Sequence, residues 1–369
     1  MQGIHSIYKP KGPSSHQIIN ELRKITQIKT IGHAGTLDPM ASGILVVGIG
    51  RWAVKKIWSN NLEEKEYLAQ IKLGEKSNTD DKTGQIKKLK NIPKPDIKDV
   101  KKALKNFKGN IKQKPPDFSA IKIKGQRAYK ISLQGKKPPI KKRLVNIKNI
   151  KLINYKWPFL DLKIITGPGV YIRSLARDLG EILDTGGVLY KLERTRVGKF
   201  IKKNSYTLTA FKKEYQKRKM DLTLCPIIKN NKILLGMKKR GFGQGRWNGF
   251  GGKLKPGENI RSSLIREIKE ECEIFPKKIN QRGLFIFEFE NNPEILHVHL
   301  FDCPEFQGKP KETEEMKPKW FDFDKIPYKK MWPDDKFWLP LFLKGKNLKG
   351  VFYFKDKDNL LDYSLKEIK

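Results

Sequence analysis

Apolar and polar positions alternate in short blocks along the chain. No apolar run nears the ~18 residues of a membrane-spanning helix. The first residues, MQGIHSIYKPKG, lack the apolar stretch of a secretory signal. Residues Ile97–Phe107 predict a helix. Leu222–Ile228 and Ile233–Gly236 predict strands, joined by a hairpin turn at Lys229-Asn230-Asn231-Lys232. Pro256-Gly257-Glu258 reads as a turn into a helix over about Asn259–Cys272. Lys212–Lys219 (KKEYQKRK) is basic and without apolar periodicity, which predicts a linker or short solvated helix and a boundary near 205–221. After the Ile97–Phe107 helix, the lysine-dense stretch to residue 148, with Pro115-Pro116 and Pro138-Pro139, predicts an irregular basic loop. Ile31–Gly43 (IGHAGTLDPMASG) carries three glycines and a proline, so it predicts a tight loop rather than a regular element. No internal repeat is present.

A length of 369 residues suggests two domains. Hydrophobic content of 38% supplies real cores and excludes a wholly disordered chain. The three cysteines, Cys225, Cys272 and Cys303, are odd in number and form no CxxC pair. That argues for a reduced, cytoplasmic protein without a disulfide framework or zinc site. The net charge is +39, and it is unevenly spread. Residues 1–219 carry 49 basic and 17 acidic side chains, and residues 220–369 carry 29 and 22. A lysine-rich genome would bias both halves, so the excess in the first half points to a nucleic-acid partner.

Within the first tight loop, Asp38 precedes Pro39, which pushes its backbone out of the helical region. Such an aspartate either projects its carboxylate into a cleft or closes an Asx turn. GHAGTLDPMASGILVVGIG resembles the catalytic motif of the TruB-type tRNA pseudouridine synthases. Four further stretches follow the family's order: Tyr8–Gly12, Tyr67 in EYLAQIKLG with SNTDDKTG, Phe118–Gly135, and GVYIRSLARDLG with LERTRVG. The resemblance implies that Asp38 is the carboxylate nucleophile, with Arg173 as its ion-pair partner and Asp81 behind Arg173. It also implies that Tyr67 stacks on the uracil and serves as a base, and that His33 fills the space left by the flipped nucleotide. Tyr171 and Leu192 would be pocket walls, although both also suit ordinary core positions. The basic segment 112–148, including Lys122 and Arg127, would grip the T-arm of tRNA. No cofactor is implied for this half. Many family members add a PUA domain, which this sequence does not display.

In the second half, Glu267, Glu270 and Glu271 fall at i, i+3 and i+4 of the expected helix. Like charges on one face call for a compensating cation, and hard oxygen donors suit Mg²⁺ or Mn²⁺. An exposed acidic stripe is the alternative. The spacing Gly252, Glu258, Arg266, Glu267, Ile268, Glu270, Glu271, Ile274 resembles the Nudix box, with Glu273 where the second glycine falls. A glycine there would ease the left-handed turn closing the helix, so its loss costs about 1 kcal/mol. Beyond the box, LLGMKKRGFGQGRWNGFGGK, PKWF, MWPDDKFWLPL and LDYSL resemble the animal-type oxidised-purine nucleoside triphosphatases, which are MutT-like. That likeness implies that Asn248, Asp334 and Asp335 read the purine edge. Trp332 and Phe242 would sandwich the base, and Thr223, Lys238 and Leu296 would line the pocket. The Gly251 carbonyl, Glu267, Glu270, Glu271 and Glu315 would hold metal, with Glu271 as a base. Core packing is the alternative for Trp332 and Phe242.

The expectation is an α/β (α+β) protein with two active sites that share no intermediate. A pseudouridine-synthase mixed-sheet domain (1–205) leads through a linker (206–221) to a Nudix α/β/α sandwich domain (222–369). Its partners would be the T-arm of tRNA and oxidised purine nucleoside triphosphates such as 8-oxo-dGTP and 2-oxo-dATP. It would act as a cytoplasmic monomer without a membrane. A canonical dNTP, capped RNA or ADP-ribose is the rival second substrate, and a nucleotide-sensing RNA-binding module the rival class.

Overall fold

Alternate residues of Lys65–Leu73 are buried, as a strand covered on one face requires. This strand lies in the middle of the main sheet of the first of two compact units. In the computed structural model, which describes residues 1–59 and 64–369, these units are Gly3–Phe211 and Lys212–Lys369 with Met1–Gln2.

The first unit is built on a nine-stranded sheet. Its order is Gly3–Lys9, Ser42–Ile49, Gly187–Val197, Lys65–Leu73, Phe159–Thr166, Arg143–Lys156 and Gly109–Gln113, with Ile31–Ala34 and Phe200–Ile201 pairing at the side. The sheet is mixed: Glu193 and Arg194 run parallel to Ser42 and Gly43, while its other pairs are antiparallel. Helices Ile97–Lys105 and Ile172–Ile182 contribute Val100, Leu104, Leu175 and Leu179 to one core with Ile71, Leu160 and Leu162. The first of these matches the expected helix. It starts at Asp96, whose carboxylate accepts from the Lys98 and Asp99 backbone amides.

Two expectations for this unit change. The Ile31–Gly43 stretch is a loop only in its middle, because Ile31–Ala34 pairs with Val46–Ile49. The basic segment 112–148 is not irregular throughout. It holds a hairpin (Lys122–Ile123 with Gln126–Arg127), a helix (Ala128–Leu133) and the start of strand Arg143–Lys156. Lys124 and Gly125 turn that hairpin with φ of 46° and 85°.

The second unit stacks a five-stranded and a four-stranded sheet with helices Ile260–Cys272 and Asp335–Leu343. Leu264, Ile268 and Cys272 pack on Leu234 and Phe301, while Trp338, Leu339 and Phe342 pack on Phe285, Leu300 and Phe352. The expected mixed-sheet domain and α/β sandwich are thus both present. The run Leu222–Ile228 is not one strand but two. Lys219–Leu224 joins the larger sheet, and Ile227–Lys229 pairs with Lys232–Lys238 in the smaller. Asn230 and Asn231 form the two-residue turn, both at positive φ. Of the linker or short solvated helix expected here, the structure has the helix, Leu208–Arg218, but with two buried aromatic anchors. Phe211 packs within the first unit against His5 and Tyr206, and Tyr215 within the second against His297. Their i, i+4 spacing is the apolar period hidden among the lysines. The three cysteines are free and buried. No helix among the described residues is long and apolar enough to cross a membrane.

Two candidate active sites

Residues 35–41 hang between strands Ile31–Ala34 and Ser42–Ile49. Gly43 closes the loop at φ 119°, and a Cβ there would lie 2.2 Å from the Arg194 carbonyl oxygen. Only glycine allows that crossing. Arg194 itself is buried, and its guanidinium donates to the Ile44 and Gly35 carbonyls at 2.7 and 3.0 Å. Below the loop, fully buried Lys9 donates to the Pro10 and Pro13 carbonyls at 2.9 and 2.8 Å and to Pro39 at 3.4 Å. Burial lowers the Lys9 ammonium to about 8, opposed by the charge of Asp38.

Asp38 is thereby presented to Arg173, in the first turn of helix Ile172–Ile182. Arg173 Nε stands 3.0 Å from Asp38 Oδ2, and Nη2 donates to Oδ1 at 3.1 Å. The guanidinium also donates to the carbonyls of Thr79 and Phe118, each at 3.0 Å. Asp81 Oδ2 lies 3.8 Å behind it. Asp81 is held by Thr79 Oγ1 at 2.8 Å and the Thr83 amide at 2.9 Å. One buried cation therefore faces two carboxylates, of which Asp38 is the more open, at 30% exposed against 5%. Tyr67 and Leu192 are buried in one cluster with Leu37, the neighbour of Asp38. Tyr171 caps the Arg173 helix. Gln113 accepts from its amide at 2.9 Å and donates to its carbonyl at 3.1 Å, and the Arg143 guanidinium sits 5.2 Å from its ring centre. His33 lies on strand Ile31–Ala34, where burial, with Arg194 and His16, lowers its imidazole to about 4. Lys122 and Arg127 pair across the exposed hairpin rather than at the carboxylate. Lys9 and Arg194 were not singled out from the sequence. What makes them matter is a strand crossing that no local pattern encodes.

In the second unit, a cavity of about 670 Å³ is lined by all eight residues expected to bind nucleotide: Thr223, Lys238, Phe242, Asn248, Leu296, Trp332, Asp334 and Asp335. Phe287, Phe289 and Phe354 line it too and were missed, although the alternation in LFIFEFE places the first two on one strand face. Asp334 Oδ2 accepts from Trp338 Nε1 at 3.0 Å, and Asp335 Oδ2 accepts from the Trp332 amide at 2.9 Å. Burial raises both carboxyls, and Asp335 is raised further by Asp334 beside it. The Phe242 and Trp332 rings stand 5.0 Å apart at 31°. They touch each other rather than flank a gap, since a third ring between them needs about 7 Å.

The carboxylate helix opens on Asn259, whose side chain accepts from the Ser262 amide at 2.9 Å. Arg266 grips Glu258 with Nε and Nη2 at 2.9 and 3.0 Å, and donates to Glu267 and Glu270 at 2.8 and 2.9 Å. Glu271 is buried and accepts from the Gly251 amide at 2.8 Å and from Lys238 Nζ at 3.3 Å. Burial raises Glu271 to about 7. Arg266 and Lys238 offset part of this acidic stretch from within the chain. Glu267 approaches the same glycines, since a Cβ on Gly252 would lie 2.6 Å from its carboxylate. Glu270 does not join them. Successive helical residues turn by about 100°, so Glu270 and Glu271 leave the axis on opposite sides of Glu267. Glu270 is 53% exposed, against 1% for Glu271. Glu315 lines the cavity and pairs with Arg240 at 3.0 Å. Among the described residues no three His, Cys, Asp or Glu side chains are grouped closely enough to hold a metal. Glu267 and Glu271 converge on the Gly251–Gly252 corner, and their hard oxygen donors fit a divalent cation.

Residues 23–172 match the model for TruB family pseudouridylate synthase (N terminal domain), and residues 173–232 that for tRNA pseudouridylate synthase B C-terminal domain. Residues 220–342 match the NUDIX domain. The tRNA pseudouridine synthase B of Clostridium tetani is 33% identical over 290 residues, covering 72% of this chain and 100% of that protein. The oxidized purine nucleoside triphosphate hydrolase of Mus musculus is 47% identical over 146 residues, covering 40% of this chain and 94% of that protein. Its Danio rerio counterpart is 44% identical over 147 residues, covering 40% of this chain and 94% of that protein. The chain belongs to the TruB pseudouridine synthases through its first unit and to the Nudix hydrolases, in the oxidized purine nucleoside triphosphate hydrolase family, through its second.

Proposed function

We propose that the first unit isomerises a T-arm uridine of tRNA to pseudouridine, with Asp38 as nucleophile. The N1–C1′ bond breaks, the uracil turns, the C5–C1′ bond forms, and the proton lost from C5 is balanced by one gained at N1. The observation that carries this reading is the two-point contact between Asp38 and buried Arg173. Arg173 aims the carboxylate, as a nucleophile needs. Tyr67 and Leu192 wall the uracil, and His33, Tyr171, Lys122 and Arg127 meet the RNA.

The second unit hydrolyses oxidised purine nucleoside triphosphates, 8-oxo-dGTP and 2-oxo-dATP, to monophosphate and diphosphate. This rests on the buried pair Asp334 and Asp335 at the aromatic cavity. Two adjacent carboxyls that resist ionisation can share a proton, so one donates to the base edge while the other accepts. Phe242 swings outward to admit the base against Trp332. Mg²⁺ or Mn²⁺, held by Glu267, Glu271 and the Gly251 carbonyl, would neutralise charge on the phosphates. Glu271, buried at the Gly251 corner beside Lys238, or a neighbouring carboxylate, takes the proton of the attacking water. The chain acts as a cytoplasmic monomer. A panel of 8-oxo-dGTP, 2-oxo-dATP, dGTP, ADP-ribose and capped RNA at equal concentration tests the second activity. Preference for the oxidised purines supports it, and equal cleavage of dGTP overturns it.

A further inference from the structure

Trp332 is one wall of the nucleotide cavity, and its position depends on a residue outside that cavity. The Arg246 guanidinium lies 4.6 Å from the Trp332 ring centre, within cation–π range. Its Nη1 donates to the Met331 carbonyl, one residue before Trp332, at 2.7 Å. Its Nη2 donates to the Lys357 carbonyl at 3.3 Å and pairs with the Asp358 carboxylate. Its own backbone closes the glycine loop that carries Phe242: the Arg246 amide donates to Gly243, and its carbonyl accepts from Lys238. One side chain thus ties three segments together. These are the Phe242 loop, the Trp332 segment, and the turn between strands Asn347–Phe354 and Leu360–Ile368.

That turn is built beforehand. Asp356 accepts from the Asp358 and Asn359 amides at 2.9 and 3.0 Å, and Lys355 donates back to the Asn359 carbonyl. It also reaches the opposite wall, where Lys357 Nζ stands 5.5 Å from the Phe242 ring centre. The two walls differ in freedom. Gly243 packs against Trp332, with a Cβ there only 3.2 Å from the indole, whereas Gly241 has open space around it and Phe242 is 55% exposed.

We propose that Arg246, latched to the Lys355–Asn359 turn through Asp358, is a positioning residue for base binding: it holds Trp332 as the fixed wall while Phe242 moves to admit the base. The inference rests on the nucleotide hydrolysis proposed above. Pre-organising one wall reduces the ordering cost of binding, so Arg246 acts on affinity and not on the chemical step.

The test is steady-state kinetics of 8-oxo-dGTP hydrolysis by the full chain, comparing wild type with Arg246→Met, which keeps the stem and removes the guanidinium. KM should rise about tenfold while kcat stays within about threefold. A second variant, Asp358→Asn with Lys357→Gln, alters only exposed side chains of the turn and keeps the test available should Arg246→Met misfold. It should raise KM about threefold. Arg246→Lys, which keeps the charge and loses the fork, should recover only part of the loss. An unchanged KM in the turn variant and in any folded Arg246→Met overturns the proposal, as does a fall in kcat alone. If wild type hydrolyses no oxidised purine triphosphate, the functional reading fails instead.

Discussion

Arg173 meets Asp38 at two points, Nε to Oδ2 at 3.0 Å and Nη2 to Oδ1 at 3.1 Å, while the same guanidinium donates to two backbone carbonyls. Its two terminal nitrogens donate to three separate oxygens. Arg173→Lys keeps the charge but can satisfy only part of this set, so the carboxylate loses its fixed direction. Pseudouridine formation on a tRNA transcript should slow about 10²-fold, with nucleotide hydrolysis unchanged.

At the second site, burial raises the carboxyls of Asp334 and Asp335, Asp334 to about 7. A carboxyl whose folded value lies above its unfolded one favours the protonated folded state. Its cost to stability is absent at low pH and grows as pH rises from about 4 to about 7. Thermal unfolding of the second unit should therefore show stability falling across that window, and Asp334→Asn with Asp335→Asn should flatten the slope. As pH rises through about 7, Asp334 ionises while Asp335, raised further, keeps its proton, so the one-proton pair forms and KM for 8-oxo-dGTP should fall in wild type.

Phe242 is exposed on a glycine-flanked loop, so its truncation removes little packing. Phe242→Ala should lower unfolding free energy by no more than about 1 kcal/mol, the loss of its partly exposed ring contacts. KM for oxidised purine triphosphates should rise about tenfold, because one aromatic face of the base is lost.

Glu273 ends the carboxylate helix at φ 55°, a left-handed position that suits glycine. Its ion pair with Lys311, at 2.8 Å, is half-exposed and contributes little. Glu273→Gly should stabilise the second unit by about 0.5–1 kcal/mol, or about 2–4 °C in Tm. Differential scanning calorimetry reads this directly.

Local spacing made the chemistry-bearing helix legible. Asn259 caps it, and the Glu267 and Glu271 spacing brings both to the Gly251–Gly252 corner. The helix Ile97–Lys105 was legible from its apolar period. What sequence hid is what depends on register between distant strands. Gly43 needs its freedom because Arg194 crosses it, and Lys9 matters because three proline carbonyls turn toward it. Phe211 and Tyr215 make a helix of an apparently solvated basic stretch, since two aromatic anchors outweigh the lysines around them. Glu270 and Glu271 share a helical face in the spacing, yet Glu270 stays exposed while Glu271 is drawn inward by Gly251 and Lys238. Phe242 and Trp332 stand 5.0 Å apart at 31° on the wall of one cavity, a pairing across distant segments that local spacing does not encode.

Whether the two active sites on this chain work separately is tested by assaying tRNA pseudouridine formation and 8-oxo-dGTP hydrolysis, each in folded Asp38→Asn and Glu271→Gln. Asp38→Asn should abolish only the first activity and Glu271→Gln only the second. Loss of both activities in either folded variant would contradict the account.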